Sequence, residues 1–300
     1  MATRVVTARR GRGEPVVATE RLPGSPHDAQ EAARVLEGLG PIERTLLIPL
    51  MARVWAHRWY LDITQPDTSA ERVLAQLHEQ VPTWMPDPVT LCCIAWRTRQ
   101  LVGQARSHFE RYPGTWGVNL GAGLSNYFQW LDNGTNHWVD TDLEGVMQLR
   151  SQCLPHQSRA QGLSLDICEN HWWSRLAACI KSRHQPLFIM LEGVLLYLQP
   201  AQAHQVLMTL GERAPAGSCV MFDVIPAWLM GWPVRMPAAE EVQPMFLWGV
   251  DSLASLDSLH PRLHLKTVSC SPWSVDGWPG WSGNDWQPLS PYALAQMTVS

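Results

Sequence analysis

The sequence predicts an α/β protein: a parallel sheet covered on both faces, preceded by a helical region. After residue 115, short apolar runs alternate with helical segments, the pattern of strand–helix units that build parallel sheets. Before that point apolar residues recur with helical spacing and no strand-like run occurs. The chain has 300 residues, 46% hydrophobic and 17% charged. It can therefore bury a full core, which excludes global disorder.

Taken in order, residues 1–26 are rich in Gly, Pro and Arg without an apolar period, and read as a flexible arm. Residues 27–112 read as helices. "DAQEAARVLEGLG" starts on Asp28, an N-cap type, and stops on Gly40. "IERTLLIPLMARVWAHRWY" has a wide apolar face, and "SAERVLAQLHEQV" opens with Ser69 and Glu71. "DPVTLCCIAWRTRQLVGQARSHFERY" is long and amphipathic and ends before Pro113-Gly114. Residues 113–300 form the α/β core, with strands expected at 117–120, 137–141, 161–165, 186–191, 218–224, 263–269 and 294–300. Helical pieces such as "LEGVMQLRSQC", "NHWWSRLAACIKSR" and "PAQAHQVLMTLGER" fall between them. The stretch from about 226 to 259, after the fifth strand, is too long for a plain connection and reads as a helical insertion at the sheet's carboxyl edge.

Charge and composition exclude several classes. Net charge is −4 and no basic run exceeds Arg9-Arg10, so neither nucleic acid nor an anionic membrane is indicated as a partner. The amino-terminal stretch lacks the apolar core of a secretory signal, and no apolar run is long enough to span a membrane. Seven scattered cysteines, none in a CxxC pair, fit buried reduced thiols better than disulfides or a metal site, and so a cytoplasmic protein.

The chemistry centres on "WGVNLGAGLSNYFQWL". An apolar run ends in Gly121-Ala122-Gly123 and passes into a helix-like segment. Glycines there let backbone approach a ligand closely, and exposed helix amides favour an anionic end. "HWVDTDLEGV" places Asp140 and Asp142 at the end of the next strand, 17 and 19 residues after Gly123. A carboxylate there can accept hydrogen bonds from ribose hydroxyls; either Asp can equally cap a helix. A dinucleotide site wants G-x-G-x-x-G, but the third glycine position is Asn126. S-adenosylmethionine carries no pyrophosphate, so a GxG turn and an acidic strand end suffice for it. It is the preferred cofactor, with S-adenosylhomocysteine as product.

The segments "RTLLIPLMAR", "AWRTRQL", "VNLGAGLSNYFQWLDNG", "HWVDTDLEGVMQLR", "LEGVLLYLQP" and "FLWGVDSLASLDSLHPRLHL" occur in that order. Together they resemble the leucine carboxyl methyltransferase family, in its bacterial, polyketide-modifying branch. The resemblance covers roughly residues 40–270. It implies a class I S-adenosylmethionine-dependent methyltransferase: Rossmann-like, with a seven-stranded mostly parallel sheet of order 3-2-1-4-5-7-6 and a helical N-terminal lid. It further implies that Arg97 pairs with the donor's carboxylate and that Gly121, Ala122 and Gly123 form the donor turn. Asp142, with Asp140 beside it, would hold the ribose. Asp166 and Ile167 would sit at the adenine end, Glu192 near the donor's amino group, and Tyr197 near the acceptor.

The family commonly reads GAGLDTR where this chain has "GAGLSNY", and an arginine where it has Trp130. Tyr127, Trp130, Trp172 and Trp173 are candidates for an aromatic pocket, or core residues. The acceptor implied is the carboxylate of a small molecule of secondary metabolism, giving a methyl ester. A carboxylate with pKa near 4 needs no base at pH 7, whereas a hydroxyl would, and none of the histidines, His137, His171 and His204 among them, lies in a motif that marks it as one. The alternatives are methylation of a hydroxyl, N or S, and a catalytically silent donor-binding relative. Oligomeric state is not legible.

Overall fold

The structure of the chain, a computed structural model, describes residues 26–59, 65–77, 86–180, 184–234, 243–270 and 292–300. Nearly all of the expected N-terminal arm lies outside them, as do the ends of the helices expected to reach residues 60, 81 and 183. Seven strands form one sheet: β1 (Trp116–Leu120), β2 (His137–Asp142), β3 (Ala160–Ser164), β4 (Phe188–Leu191), β5 (Cys219–Val224), β6 (Leu263–Cys270) and β7 (Ala293–Val299). Their order is β3-β2-β1-β4-β5-β7-β6, the order the resemblance implied. Pairs among β1 to β5 are parallel, and β7 runs antiparallel to β5 and β6. Every expected strand is present within two residues of its expected bounds.

The helices are α1 (Pro26–Gly38), α2 (Pro41–Arg44), α3 (Leu47–Trp59), α4 (Thr68–Gln76), α5 (Pro88–Arg111), α6 (Phe128–Leu131), α7 (Glu144–Cys153), α8 (Trp172–Cys179), α9 (Pro200–Arg213) and α10 (Leu253–Asp257). Strands β1, β4 and β5 are buried throughout, as near-continuous apolar strands between two helical layers should be. The two-residue period sorts their side chains. Ile189, Leu191, Val220 and Phe222 pack with Leu176 of α8 and Leu207 and Leu210 of α9. Phe188, Met190 and Met221 share the opposite face with Leu101 and Phe109 of α5. That alternation decides the site: Asp223 falls on the α5 face with Met221, and Asp140 and Asp142 fall on the same face as Trp138.

Helices α1 and α4 rest on α7 and α3 packs on α4 and α5; Leu36, Leu50, Val54 and Val73 share one core with Val146, Leu149 and Cys153. The expected long helix from 42 to 60 is broken at Thr45-Leu46. Pro49 explains the break: it has no N–H for the Thr45 carbonyl, and its ring would clash there. Ile48 N donates to that carbonyl instead, at 3.0 Å. Helix α5 starts where Asp87 accepts from the amides of Val89 and Thr90, with Pro88 at its first position. In the insertion after β5, the described residues contain a 3₁₀ turn (Ala227–Leu229), the bridges Pro226–Val250 and Pro233–Met245, and α10, rather than long helices.

Candidate functional site

A cavity of about 1410 Å³ opens at the carboxyl ends of β1, β2 and β4, walled by α2, α3, the start of α5 and the insertion. Ligand pockets usually span roughly 300–1,000 Å³, so this one has room for two small molecules. Its lining includes Arg97, Gly121, Ala122, Gly123, Asp142, Asp166, Ile167, Glu192 and Tyr197. The sequence-predicted residues therefore converge on one space, with the exception of Asp140. Tyr127, Trp130, Trp172 and Trp173 do not line it; among the described residues the aromatic side chains that do are Tyr197, Trp232, Phe246 and Tyr292.

The glycine turn is built differently from the sequence expectation. Residues 121–127 form turns, and the helix after them, α6, has only four residues, so no helix terminus faces the cavity from here. Gly121 has φ +77°, and a Cβ on it would lie 2.3 Å from Val194 Cγ2. Both the backbone angle and the approach of the loop after β4 require glycine. The turn's amides are already engaged: Gly121 N and Ala122 N donate to the Thr141 carbonyl at 2.9 Å each, and Ser125 N to Ala122 O at 3.0 Å. Gly123 N donates to Asp142 Oδ2 at 2.7 Å, and Leu143 N to Asp142 Oδ1 at 2.8 Å. These two amides aim the Asp142 carboxylate at the cavity rim. Burial raises its pKa, against the two amides and Arg150, while Glu43 adds to the rise.

Asp140 points into the protein instead. Its Oδ2 accepts from Arg150 Nη2 at 2.6 Å, and its Oδ1 from Trp138 Nε1 at 2.8 Å and Asn119 Nδ2 at 3.1 Å.

Across the cavity, Arg97 of α5 meets the ends of β4 and β5. Its Nη2 lies 2.7 Å from Glu192 Oε1. Its Nη1 donates to Asp223 Oδ2 at 3.1 Å and to the Tyr292 hydroxyl at 2.7 Å. Asp223 Oδ2 also accepts from Gly193 N. Burial alone would lower the Arg97 pKa, but Glu192, Tyr292 and Asp223 outweigh it and hold the guanidinium well above its ordinary value. Burial pushes Asp223 up to about 6, with Arg97 opposing and Glu192 adding. One cation thus faces two carboxylates. Arg97 Nε, Glu192 Oε1 and Asp223 Oδ1 are buried without a well-aligned hydrogen bond, although Oε1 lies close to Nη2.

At the far end, Asp166 Oδ1 accepts from Cys168 N at 2.8 Å in the loop after β3, beside Ile167. Tyr197 sits against Phe246, their ring centroids 6.0 Å apart. Burial pushes its hydroxyl up to about 12, partly offset by a bond with Thr45. Arg53 of α3 also lines the cavity. Its Nε lies 3.0 Å from Asp67 Oδ2, its side chain is 4% exposed, and its Nη2 has no hydrogen-bond partner.

Sequence reasoning missed Asp223, Tyr292, Arg150 and Arg53. Asp223 carried a usable signal, an acid near the end of the apolar run "SCVMF", like Glu192 after "PLFIML". Arg53 and Arg150 close two of the motif segments, "RTLLIPLMAR" and "HWVDTDLEGVMQLR", whereas Tyr292 lay in none of them. Among the described residues no group of three or more His, Cys, Asp or Glu is placed to hold a metal ion, and no helix is long and apolar enough to cross a membrane.

Strand order and cavity position define the fold of class I S-adenosylmethionine-dependent methyltransferases. Residues 93–211 match the family described as leucine carboxyl methyltransferase. The chain is 25% identical over 247 residues to the tetracenomycin polyketide synthesis O-methyltransferase TcmP of Streptomyces glaucescens, a match spanning 79% of this chain and 87% of that protein. In fold it is similar to a candidate methyltransferase from Thermobifida fusca, with a TM-score of 0.51 at 14% identity, covering 83% of this chain and 94% of that one. The resemblance to the leucine carboxyl methyltransferase family drawn from short motifs is thus found independently.

Proposed function

We propose that the protein is an S-adenosylmethionine-dependent O-methyltransferase that esterifies the carboxylate of a small molecule. The observation carrying this reading is the Arg97–Glu192–Asp223 cluster beside the glycine turn. With both acids ionised it bears one uncompensated negative charge, and the donor bears one net positive charge on its sulfonium. Glu192 and Arg97, which both line the cavity, suit a zwitterionic amino-acid tail: Glu192 would accept from its ammonium and Arg97 would donate to its carboxylate. Asp142 would accept from the ribose, and Asp166 with the Ile167 backbone would meet the adenine edge. A donor in that pose supplies an activated methyl group for in-line displacement.

The remaining wall serves the acceptor. Ile48, Ile94, Leu229 and Phe246 make it largely apolar, which strips water from an incoming group and orients it. Arg53 lines this wall too and would supply positive charge to an acid, with its Nε 3.0 Å from Asp67 Oδ2. An acceptor that is already ionised gives up no proton and calls on none of the lining side chains as a base.

Calorimetry with S-adenosylmethionine, S-adenosylhomocysteine and NAD tests the first half, and binding of NAD alone ends it. Turnover on panels of carboxylic acids, phenols, amines and thiols, read as methyl products by mass spectrometry, tests the second. Products only from phenols, amines or thiols overturn the ester assignment, and donor binding with no product on any panel marks a silent relative. Arg53→Met should raise KM for an accepted acid by about 10-fold or more while leaving donor affinity intact, since a lost charge-assisted bond costs about 1.5–3 kcal/mol.

A further inference from the structure

Arg150 lies outside the cavity, yet it grips the turn that forms the cavity's floor. Its guanidinium, 6% exposed, donates through Nη1 to the carbonyls of Gly123 and Ser125 at 2.7 Å each and leans toward that of Ala122 at 3.4 Å. Through Nη2 it pairs with Asp140 at 2.6 Å. Asp140 is in turn fixed by Trp138 and Asn119. Asn119 also reaches Ser125 Oγ at 3.3 Å, and that hydroxyl donates to Ala122 O at 2.7 Å. The network closes on itself beneath the turn.

We propose that Arg150 is the positioning residue of the donor site: it holds the glycine turn from below and, through Gly123, sets the Asp142 carboxylate that meets the ribose. The proposal rests on the methyl-donor reading above. Three features carry it. The turn is followed by only four helical residues; its amides are tied to Thr141 and Asp142, and on its carbonyl side Arg150 bonds both Gly123 and Ser125. The carbonyls of Gly123 and Ser125 bend toward one guanidinium, while the Gly123 amide is left to bond Asp142 on the other side. Finally, a buried ion pair gains little over apolar packing in stability, so placing one under a ligand turn specifies geometry.

Arg150 also acts on Asp142 by charge. Burial and Glu43 of α2 push that carboxyl toward its neutral form, while Arg150 and the amides of Gly123 and Leu143 hold it ionised. Geometry and charge can be separated by substitution. Arg150→Lys keeps the charge but cannot span two carbonyls and Asp140 together. Arg150→Met removes both. Arg150→Met with Asp140→Asn guards against misfolding, because it leaves no unpaired buried carboxylate.

The test is calorimetric affinity for S-adenosylhomocysteine from pH 5 to 8, with cooperative thermal melts confirming folded protein. All three variants should bind roughly tenfold or more weakly at pH 8, the scale of a small misplacement in a site. The pH below which affinity is lost should stay in place for Arg150→Lys and move upward for both Met variants; Asp223 titrates alike in all of them. A purely structural role would lower the melts without separating Lys from Met in pH. Folded variants with wild-type affinity and pH profile overturn the proposal alone, whereas failure of the wild-type protein to bind overturns the methyl-donor reading with it.

Discussion

Removing the Arg97 charge should leave a pH-dependent wound in the fold. In Arg97→Met the side chain keeps its apolar stem, but Glu192 and Asp223 lose the cation that lies 2.7 and 3.1 Å from them. Two unit charges about 4 Å apart at an effective dielectric near 20 interact by about 4 kcal/mol, and removing one partner of a buried pair costs about 3–5 kcal/mol. A domain stable by roughly 5–15 kcal/mol survives that. Asp223 already sits at about 6 and rises further without Arg97. A carboxyl whose folded pKa is raised stabilises the fold below its unfolded value, and that stability is lost as pH climbs through the folded value. The penalty should therefore be about 3–5 kcal/mol at pH 8 and shrink by about 1.4 kcal/mol per pH unit once Asp223 takes a proton. Urea unfolding at pH 5.5 and 8 reads both numbers. Arg97→Met with Asp223→Asn should recover about half of the loss at pH 8. An equal penalty at the two pH values, with no recovery in the double variant, would show that Arg97 matters by packing and that the charge argument is wrong.

Asp223→Asn should weaken S-adenosylmethionine more than S-adenosylhomocysteine, because only the former carries the sulfonium charge, and it should flatten the rise in donor affinity expected between pH 5 and 7; calorimetry across that range decides. Gly121→Ala should cost about 1–3 kcal/mol, since φ is +77° and the new methyl would meet Val194; adding Val194→Ala should return part of it in the same unfolding assay. His108 is held down to about 4 by burial, aided by Arg111 and opposed by a bond to the Pro186 backbone, so its contribution, about 3 kcal/mol by the size of the shift, is present above pH 6.5 and lost as pH falls toward 4. Asp223 titrates in the opposite sense over nearly the same window, so wild-type stability should be nearly flat from pH 4 to 6, Asp223→Asn acid-sensitive, and His108→Phe more stable in acid than at neutrality.

The fold was legible wherever burial left a long enough trace. "PLFIML" and "SCVMFDV" read as strands because both faces are covered, and the long amphipathic run ending before Pro113-Gly114 read as the helix that is α5. Where one residue overrides a pattern, the pattern misled: the apolar face of 42–60 hid the break that Pro49 imposes. Asp140 and Asp142 show the limit for a site. Both lie on the same face of β2, and both look like strand-end acids. Asp142 is the last residue of the strand, at the cavity, while Asp140 is two residues inside and meets Arg150 across ten residues of chain. The cluster around Arg97 joins residues 126 and 195 positions away, a distance at which no local pattern survives.

The structure also bears on why a GxG turn without its third glycine suits one nucleoside ligand over another. A pyrophosphate is held by free backbone amides at a turn and helix terminus. Here the amides of residues 121–123 are spent on Thr141 and Asp142, two of the carbonyls face Arg150, and α6 is a single turn. Those three amides are not free for a phosphate. What the surroundings offer instead is acid: Glu43, Asp87, Asp142, Asp166 and Glu192 line the cavity against Arg53 and Arg97, with Asp223 just behind. Such a surface favours a ligand with net positive charge and opposes a dinucleotide with negative phosphates. It also implies an order of events for an acid substrate. An anion entering before the donor would meet mostly carboxylates, whereas the sulfonium, once seated, turns the local field in its favour. Donor-first binding should therefore appear in product inhibition, with S-adenosylhomocysteine competitive against the donor and mixed against the acid.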